Sequence, residues 1–134
     1  MSVEGRGVSA VDAPALMTRL EGDRELLAEL LELFGTDAEA LLASITKGLA
    51  SSDAPAVHRA AHTLKGAVAN FCAPAAVAAA VALESAGRNG DLSDAPALLQ
   101  RLRREIDAVF AAVGRILASG TTLRNGKPGD DSRP

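Results

Sequence analysis

The chain has 134 residues, of which 48% are hydrophobic and 2% aromatic, and its formal net charge at pH 7 is −3. This length fits one domain better than two, and the weakly acidic balance gives no electrostatic footprint for nucleic acid. Most of the hydrophobic residues are Ala, Leu and Val. Because Ala and Leu are strong helix formers, the composition favours an all-α domain.

The cysteine content and the hydropathy pattern bear on the compartment. Cys72 is the only cysteine, which excludes an internal disulfide and a cysteine-based zinc site and suits a reducing environment. No N-terminal segment combines basic residues with an apolar run, and no apolar run approaches the ~20 residues that span a bilayer. We therefore expect a cytoplasmic protein with no membrane contact.

Both ends of the chain lack a periodic apolar pattern and are rich in Gly, Ser and charged residues. We expect residues 1–9 to be a disordered N-terminus and residues 119–134 to be a disordered tail or linker stub. The sequence therefore predicts one helical domain over residues 10–118.

The first two predicted helices begin at aspartates. Asp12 opens an Asp-Ala-Pro triplet, in which the carboxylate can cap free N–H groups and Pro is tolerated in the first turn. This helix runs to about Leu20, and a second begins near Asp23. The apolar residues that follow at helical spacing are Leu26, Leu27, Leu30, Leu31, Phe34, Leu41, Leu42, Ile45 and Leu49. They predict either one long helix with a weak point at Gly35 or two nearly collinear helices.

Acidic residues dominate the start of this second helix. Between residues 21 and 39, Arg24 is the sole basic residue among several aspartates and glutamates. The simplest interpretation is a solvated helix face, and the alternative is a surface that attracts a basic partner.

The last three helices are predicted from the same signals. Asp53 starts the third, and Pro74 either ends it or starts the next. The fourth covers about residues 75–87 and is followed by a turn at 88–91, and Asp94 starts the fifth. The apolar stripe of the third helix is Val57, Ala61, Leu64, Val68 and Phe71, and that of the fifth is Leu98, Leu99, Leu102, Ile106, Val109, Phe110, Val113, Ile116 and Leu117.

The Asp-Ala-Pro triplet occurs three times at equal spacing, beginning at Asp12, Asp53 and Asp94. Equal spacing could mark a helical repeat of the solenoid kind. The stretches between the triplets do not align in pattern, however, so three independent capping signals explain them more simply. Helices joined by short connections favour an antiparallel bundle.

Both histidines lie in the third helix, away from its apolar stripe. At about 100° per residue, His58, His62, Lys65 and Ala69 form a separate, outward-facing stripe, and Gly66 lies one turn beyond His62. A neutral imidazole is a nucleophile near neutral pH, and a lysine one turn away could offset the charge of a phosphoryl oxygen. Glycine costs a helix interior about 0.5–1 kcal/mol relative to alanine, so Gly66 suggests close approach of another molecule.

Two simpler interpretations apply to the same residues. A surface histidine near a lysine is ordinary, and a helix glycine can serve helix packing alone. His58 and His62 could also hold a metal ion, but no Glu follows the first His as in HExxH and no third ligand is evident. We therefore predict no metal site.

The stretch Ala61-His62-Thr63-Leu64-Lys65-Gly66 resembles the His-x-Leu-Lys-Gly signature of histidine-containing phosphotransfer (HPt) domains. Residues 30–34 look like the second helix of that family, residues 69–71 continue its motif, and residues 83–92 look like its later helix end and turn. The resemblance covers about residues 12–117. It implies an all-α, antiparallel four-helix bundle with an additional short N-terminal helix, which matches the segments counted above.

The resemblance also implies roles for individual residues. His62 would be the phosphorylated residue, Lys65 the positive charge near the phosphoryl group, and Gly66 the small residue that gives access. His58 and Ala69 would belong to a docking face. The family often has Gly shortly after Asn-Phe, where this chain has Cys72, and because Cys adopts positive φ reluctantly this puts the local turn in doubt.

Partners and cofactors follow from the resemblance and from missing motifs. Members of the family relay phosphate between receiver-domain aspartates, so the expected partners are response-regulator receiver domains, with a hybrid histidine kinase as a further candidate. The sequence has no Gly-rich phosphate loop and no acidic triad for Mg²⁺. We therefore expect a monomeric phosphoryl carrier that is not an enzyme, has no cofactor of its own and relies on the receiver for Mg²⁺.

Two alternatives belong to other functional classes. One is a module of HPt shape that docks or scaffolds receivers without carrying phosphate, against which the intact His62 and Lys65 argue. The other is a plain helical bundle with a scaffolding or dimerising role, which a long exposed apolar face would indicate.

Overall fold

The computed structural model describes residues 9–124, with side chains from residue 9 to residue 119, and in this part of the chain it contains five α-helices and no strand. The all-α class and the number of helices are confirmed. None of these helices is both long and apolar enough to cross a membrane. The helices are α1 (Ala13–Arg19), α2 (Arg24–Ala50), α3 (Ala54–Ala69), α4 (Pro74–Asn89) and α5 (Ala95–Arg124).

Asp12 and Asp53 cap the helices that they were predicted to start. The Asp12 carboxylate accepts a hydrogen bond from the backbone N–H of Ala15 at 3.1 Å, and the Asp53 carboxylate accepts one from Ala56 at 3.1 Å. The helices that follow the three Asp-Ala-Pro triplets have 7, 16 and 30 residues. Units of such different length do not make a structural repeat, so the triplets act as separate helix starts.

Helix α2 is continuous through Gly35, which settles the two alternatives in favour of one helix of 27 residues. A Cβ atom at Gly35 would lie 3.3 Å from Cζ of Phe110, so the glycine lets this ring of α5 approach α2. The ring centroids of Phe34 and Phe110 are 5.3 Å apart, and those of Phe34 and Phe71 are 5.0 Å apart. The three phenylalanines therefore form one cluster that joins α2, α5 and the turn after α3.

Helices α3 and α4 approach each other closely. A Cβ atom at Gly87 would lie 2.6 Å from the backbone nitrogen of His58 and 2.9 Å from the carbonyl oxygen of Ala54. Only a glycine fits there, and the buried face of α4 is otherwise made mainly of alanines: Ala76, Ala79 and Ala80, with Leu83. Small residues let the two backbones pack tightly, which fixes the register between the histidine-bearing helix and its neighbour.

The turn between α3 and α4 differs from the predicted one. Helix α3 ends at Ala69, so Phe71 lies in the turn rather than on the helix, although it is buried as predicted. Cys72 adopts a φ of 55°, and its carbonyl oxygen accepts a hydrogen bond from the N–H of Asp12 at 2.8 Å. The positive φ at the position where the family that the sequence resembles often has glycine is therefore adopted here by cysteine, at a backbone cost of about 1–2 kcal/mol.

Helix α5 continues to Arg124, past residue 118 where we expected the bundle to end. No proline interrupts this segment before Pro128, so backbone hydrogen bonding can continue through it. The other residues that we expected to be disordered, 1–8 and 125–134, lie outside the described part of the chain.

Candidate functional site

His62 lies on the outward face of α3, where its side chain is 62% exposed. Gly66 follows one turn later, and no atom lies within 4 Å of the point that a Cβ there would occupy. The ring is therefore open to another molecule from the side of Gly66, and the missing side chain is not needed for packing inside this chain.

Glu84 of α4 joins His62 and Lys65 through one carboxylate. Its Oε2 lies 2.6 Å from Nδ1 of His62, and its Oε1 lies 3.0 Å from Nζ of Lys65. The Glu84 side chain is only 7% exposed, and both of its carboxylate oxygens are paired in this mostly desolvated position. The two residues of α3 are thus held by a single group on the neighbouring helix.

Hydrogen bonds keep the Glu84 carboxyl ionised. The bond from His62 and then that from Lys65 lower the pKa of Glu84 from 4.5 to about 2, against the opposing effect of burial. An ionised carboxylate can only accept hydrogen bonds, so Nδ1 of His62 carries a proton and donates the hydrogen bond to Glu84. In the neutral ring, Nε2 then holds the free lone pair, and no residue of the described chain forms a hydrogen bond with it.

Lys65 lies near His62 but is not free. Its side chain is 32% exposed, and its ammonium group is paired with Glu84. The positive charge expected beside a phosphoryl group is therefore present, and in this structure it is shared with a carboxylate.

His58 and Ala69, the two residues assigned to a docking face, differ in their surroundings. His58 is half-buried, its Nδ1 lies 3.2 Å from the backbone oxygen of Glu84, and its ring centroid is 6.2 Å from that of His62. Ala69 is exposed at the end of α3, and its carbonyl oxygen accepts a hydrogen bond from the side chain of Arg19 at 3.4 Å. The structure brings His58 to His62 and leaves Ala69 almost two turns away.

Sequence reasoning missed Glu84 and Gly87, the residues through which α4 shapes the site. A signal for Glu84 was available, since it lies four residues after Ala80 and three before Gly87 on a face of small residues. A charged side chain is rarely buried unless it is paired, so its place in this stripe indicates a partner on another helix. Among the described residues, no three His, Cys, Asp or Glu side chains form a group that could hold a metal ion.

An apolar groove of about 300 Å³ lies between α2 and the end of α3. Leu33, which is 62% exposed, lines the groove together with Leu30 and Phe34 from α2. Ala67 and Asn70 line it from α3 and the turn after it. The groove therefore begins next to Gly66 on the helix that carries His62.

Comparison with known proteins connects this geometry to a family. The family model of the Hpt domain matches residues 29–112. Among solved structures, the crystal structure of histidine-containing phosphotransfer protein B (HptB) from Pseudomonas aeruginosa PAO1 superposes with a TM-score of 0.70 at 29% sequence identity, covering 87% of this chain and 97% of that one. The comparison with curated proteins found no significant match.

Proposed function

Since the chain belongs to the Hpt domain family, whose members are phosphoryl carriers and not enzymes, we propose that His62 is its phosphoryl acceptor. In this proposal His62 takes the group from the phosphoaspartate of one receiver domain and passes it to the aspartate of another. The observation that carries the proposal is the one-sided bonding of the His62 ring, with Nδ1 held by Glu84 and Nε2 exposed.

The reaction follows from that tautomer. The lone pair of Nε2 attacks phosphorus, the P–N bond forms as the P–O bond to the aspartate breaks, and the aspartate leaves with the electron pair. The ring becomes an imidazolium that still donates Nδ1–H to the Glu84 carboxylate, so a buried negative charge lies next to the positive charge that develops. The reverse attack by a second receiver aspartate regenerates the neutral ring.

Lys65 supports the phosphoryl group in this proposal. About a third of its side chain is exposed, and in this proposal its ammonium turns from Glu84 towards the phosphoryl oxygens. We expect the receiver to supply Mg²⁺ and the remaining positive charge around the transferring group.

The receiver docks on the exposed side of α3 and on part of α2. This surface contains Gly66 and Ala69, and the groove beside Leu33 offers apolar area on the same side. Adding a receiver should change the amide chemical shifts of these two helices, whereas changes confined to α5 would contradict the docking surface.

The experiment is phosphoryl transfer from a labelled receiver. The purified protein should gain phosphate that is labile in acid and stable in base, and His62→Gln should abolish the labelling without changing the helical circular dichroism. His58→Asn, which removes the only other histidine, should still be labelled. Labelling of His62→Gln would refute the acceptor, and receiver binding without any labelling would favour the non-phosphorylated docking module.

A further inference from the structure

We propose that His58 is a second ligand of the phosphoryl group, whose Nε2–H donates a hydrogen bond to a phosphoryl oxygen carried by His62. This inference rests on the proposed function of His62. It assigns to His58 a role in holding the product of the transfer, which is distinct from a role in docking the receiver.

The two histidine rings are oriented by one residue. Nδ1 of His62 is bonded to the Glu84 carboxylate, and Nδ1 of His58 lies 3.2 Å from the backbone oxygen of the same Glu84. Because one ring carbon separates Nδ1 from Nε2, fixing Nδ1 against α4 points Nε2 away from α4. Both Nε2 atoms therefore point away from α4, towards the same side of α3.

The separation of the rings suits a shared phosphoryl group. Their centroids are 6.2 Å apart and their planes are inclined by 25°. A phosphoryl group on Nε2 of His62 would extend beyond the ring edge by one P–N bond and one P–O bond. Its oxygens then lie nearer to the His58 ring than the His62 ring does, and rotation of the two side chains towards each other closes the remaining distance to a hydrogen bond.

The protonation of His58 decides whether that bond forms. A backbone carbonyl only accepts hydrogen bonds, so Nδ1 of His58 carries a proton whether the ring is neutral or cationic, and Nε2 carries one only in the cation. A neutral Nε2 would direct a lone pair at the phosphoryl oxygens, whereas a protonated one donates to them. Proton uptake from solvent at His58 is therefore favoured when His62 is phosphorylated, and no bond between His58 and phosphorus is made.

The charged groups around the two histidines do not already supply a free positive charge for the phosphoryl group. The charged side chain from α4 that contacts His62 is Glu84, and on α3 the nearby charge is Lys65, which is already paired with Glu84. Part of the lysine charge is thus neutralised in the resting protein. A proton on His58 would add the positive charge that an incoming dianion needs.

Two substitutions separate the nitrogen atoms of His58. In His58→Asn, the side-chain amide replaces Nδ1 and can keep the bond to the Glu84 backbone, but the outward donor is lost. In His58→Gln, the amide replaces Nε2 and keeps the outward donor, but the inward bond is lost. Thermal unfolding of both variants shows how much each depends on the inward bond.

The equilibrium of transfer between a phosphorylated receiver and the protein is the main measurement. We expect His58→Asn to shift it towards the receiver by about threefold to tenfold near pH 6, with a smaller shift near pH 8, and His58→Gln to shift it less. Equal equilibria for wild type and His58→Asn at both pH values would overturn the inference. Equal losses in both variants that do not vary with pH would show a structural role and would also overturn it.

A second measurement needs no receiver. The free protein is phosphorylated with phosphoramidate, and the ring protons of His58 are titrated by NMR with and without phosphate on His62. His58 should titrate at higher pH in the phosphorylated protein, and an unchanged titration would refute the hydrogen bond. A wild-type protein that receivers never label would refute the proposed function instead, so the two failures are distinguishable.

Discussion

Replacing Gly66 by alanine should stabilise the protein and impair its function at the same time. A Cβ at this position meets no atom within 4 Å, and the residue lies inside α3 with ordinary helical backbone. Alanine is favoured over glycine in a helix interior by about 0.5–1 kcal/mol, so the free energy of unfolding should rise by that amount. For a chain of this size the melting temperature should rise by roughly 2–5 °C.

The functional effect has the opposite sign because the methyl group would lie on the surface where we propose that the receiver docks. It would occupy the space one turn beyond His62, and a misplacement of about 1 Å at a reacting centre can slow a reaction by about 100-fold. We expect Gly66→Ala to slow transfer from a phosphorylated receiver by about tenfold or more.

Gly114 offers a matched control for this substitution. It is exposed in α5, and a Cβ there also meets no atom within 4 Å. Gly114→Ala should therefore raise the free energy of unfolding, measured with urea, by a similar amount and leave the transfer rate unchanged. Equal transfer rates for wild type and Gly66→Ala would refute the argument that Gly66 serves access, and a loss of stability would refute the open space seen beside it.

The remaining predictions concern the contacts between α3 and α4. Glu84→Gln removes the anion that fixes the tautomer of His62 and should slow transfer by about tenfold or more, as measured by quenched-flow labelling. Because the pKa of Glu84 is lowered to about 2, its ionised form stabilises the fold above pH 4.5 and this contribution is lost as pH falls from 4.5 towards 2. The free energy of unfolding, measured with urea, should therefore depend on pH less in Glu84→Gln than in wild type between pH 4.5 and 2. Gly87→Ala places a Cβ 2.6 Å from the backbone of His58 and should cost about 1–3 kcal/mol of unfolding free energy, and a neutral result would contradict the close packing. Lys65→Ala should slow labelling without abolishing it, and an unchanged rate would make the lysine incidental.

Much of the fold could be predicted because its signals are local. An aspartate cap acts on N–H groups within its own first turn, so Asp12 and Asp53 could be recognised without knowing any other helix. The outward position of His62 likewise depends only on helical periodicity within α3. Gly35 is different, because it makes room for Phe110 of another helix. Local signals could therefore not decide whether the segment around Gly35 forms one helix or two.

The pairing of Glu84 with His62 could not be predicted in the same way, because it depends on the register of two helices. That register is set by the close approach of α4 to the backbone at His58, which only Gly87 permits. Periodicity indicates that Glu84 lies on a packed face, but it does not say which residue of α3 it meets. The role of Lys65 is affected for the same reason, since its partner also comes from α4.

The charges of the site explain why one carboxylate serves two residues. In the resting protein the charges of Glu84 and Lys65 cancel, so the neutral His62 ring lies beside a pair with little net field. In the proposed mechanism, the ring becomes an imidazolium once Nε2 carries a phosphoryl group, and it then competes with Lys65 for the same carboxylate. The ammonium group is then less tightly held at the moment when phosphoryl oxygens need a cation. A glutamine at position 84 could still accept the bond from His62, but without a negative charge it would neither pair with the Lys65 ammonium nor stabilise the imidazolium.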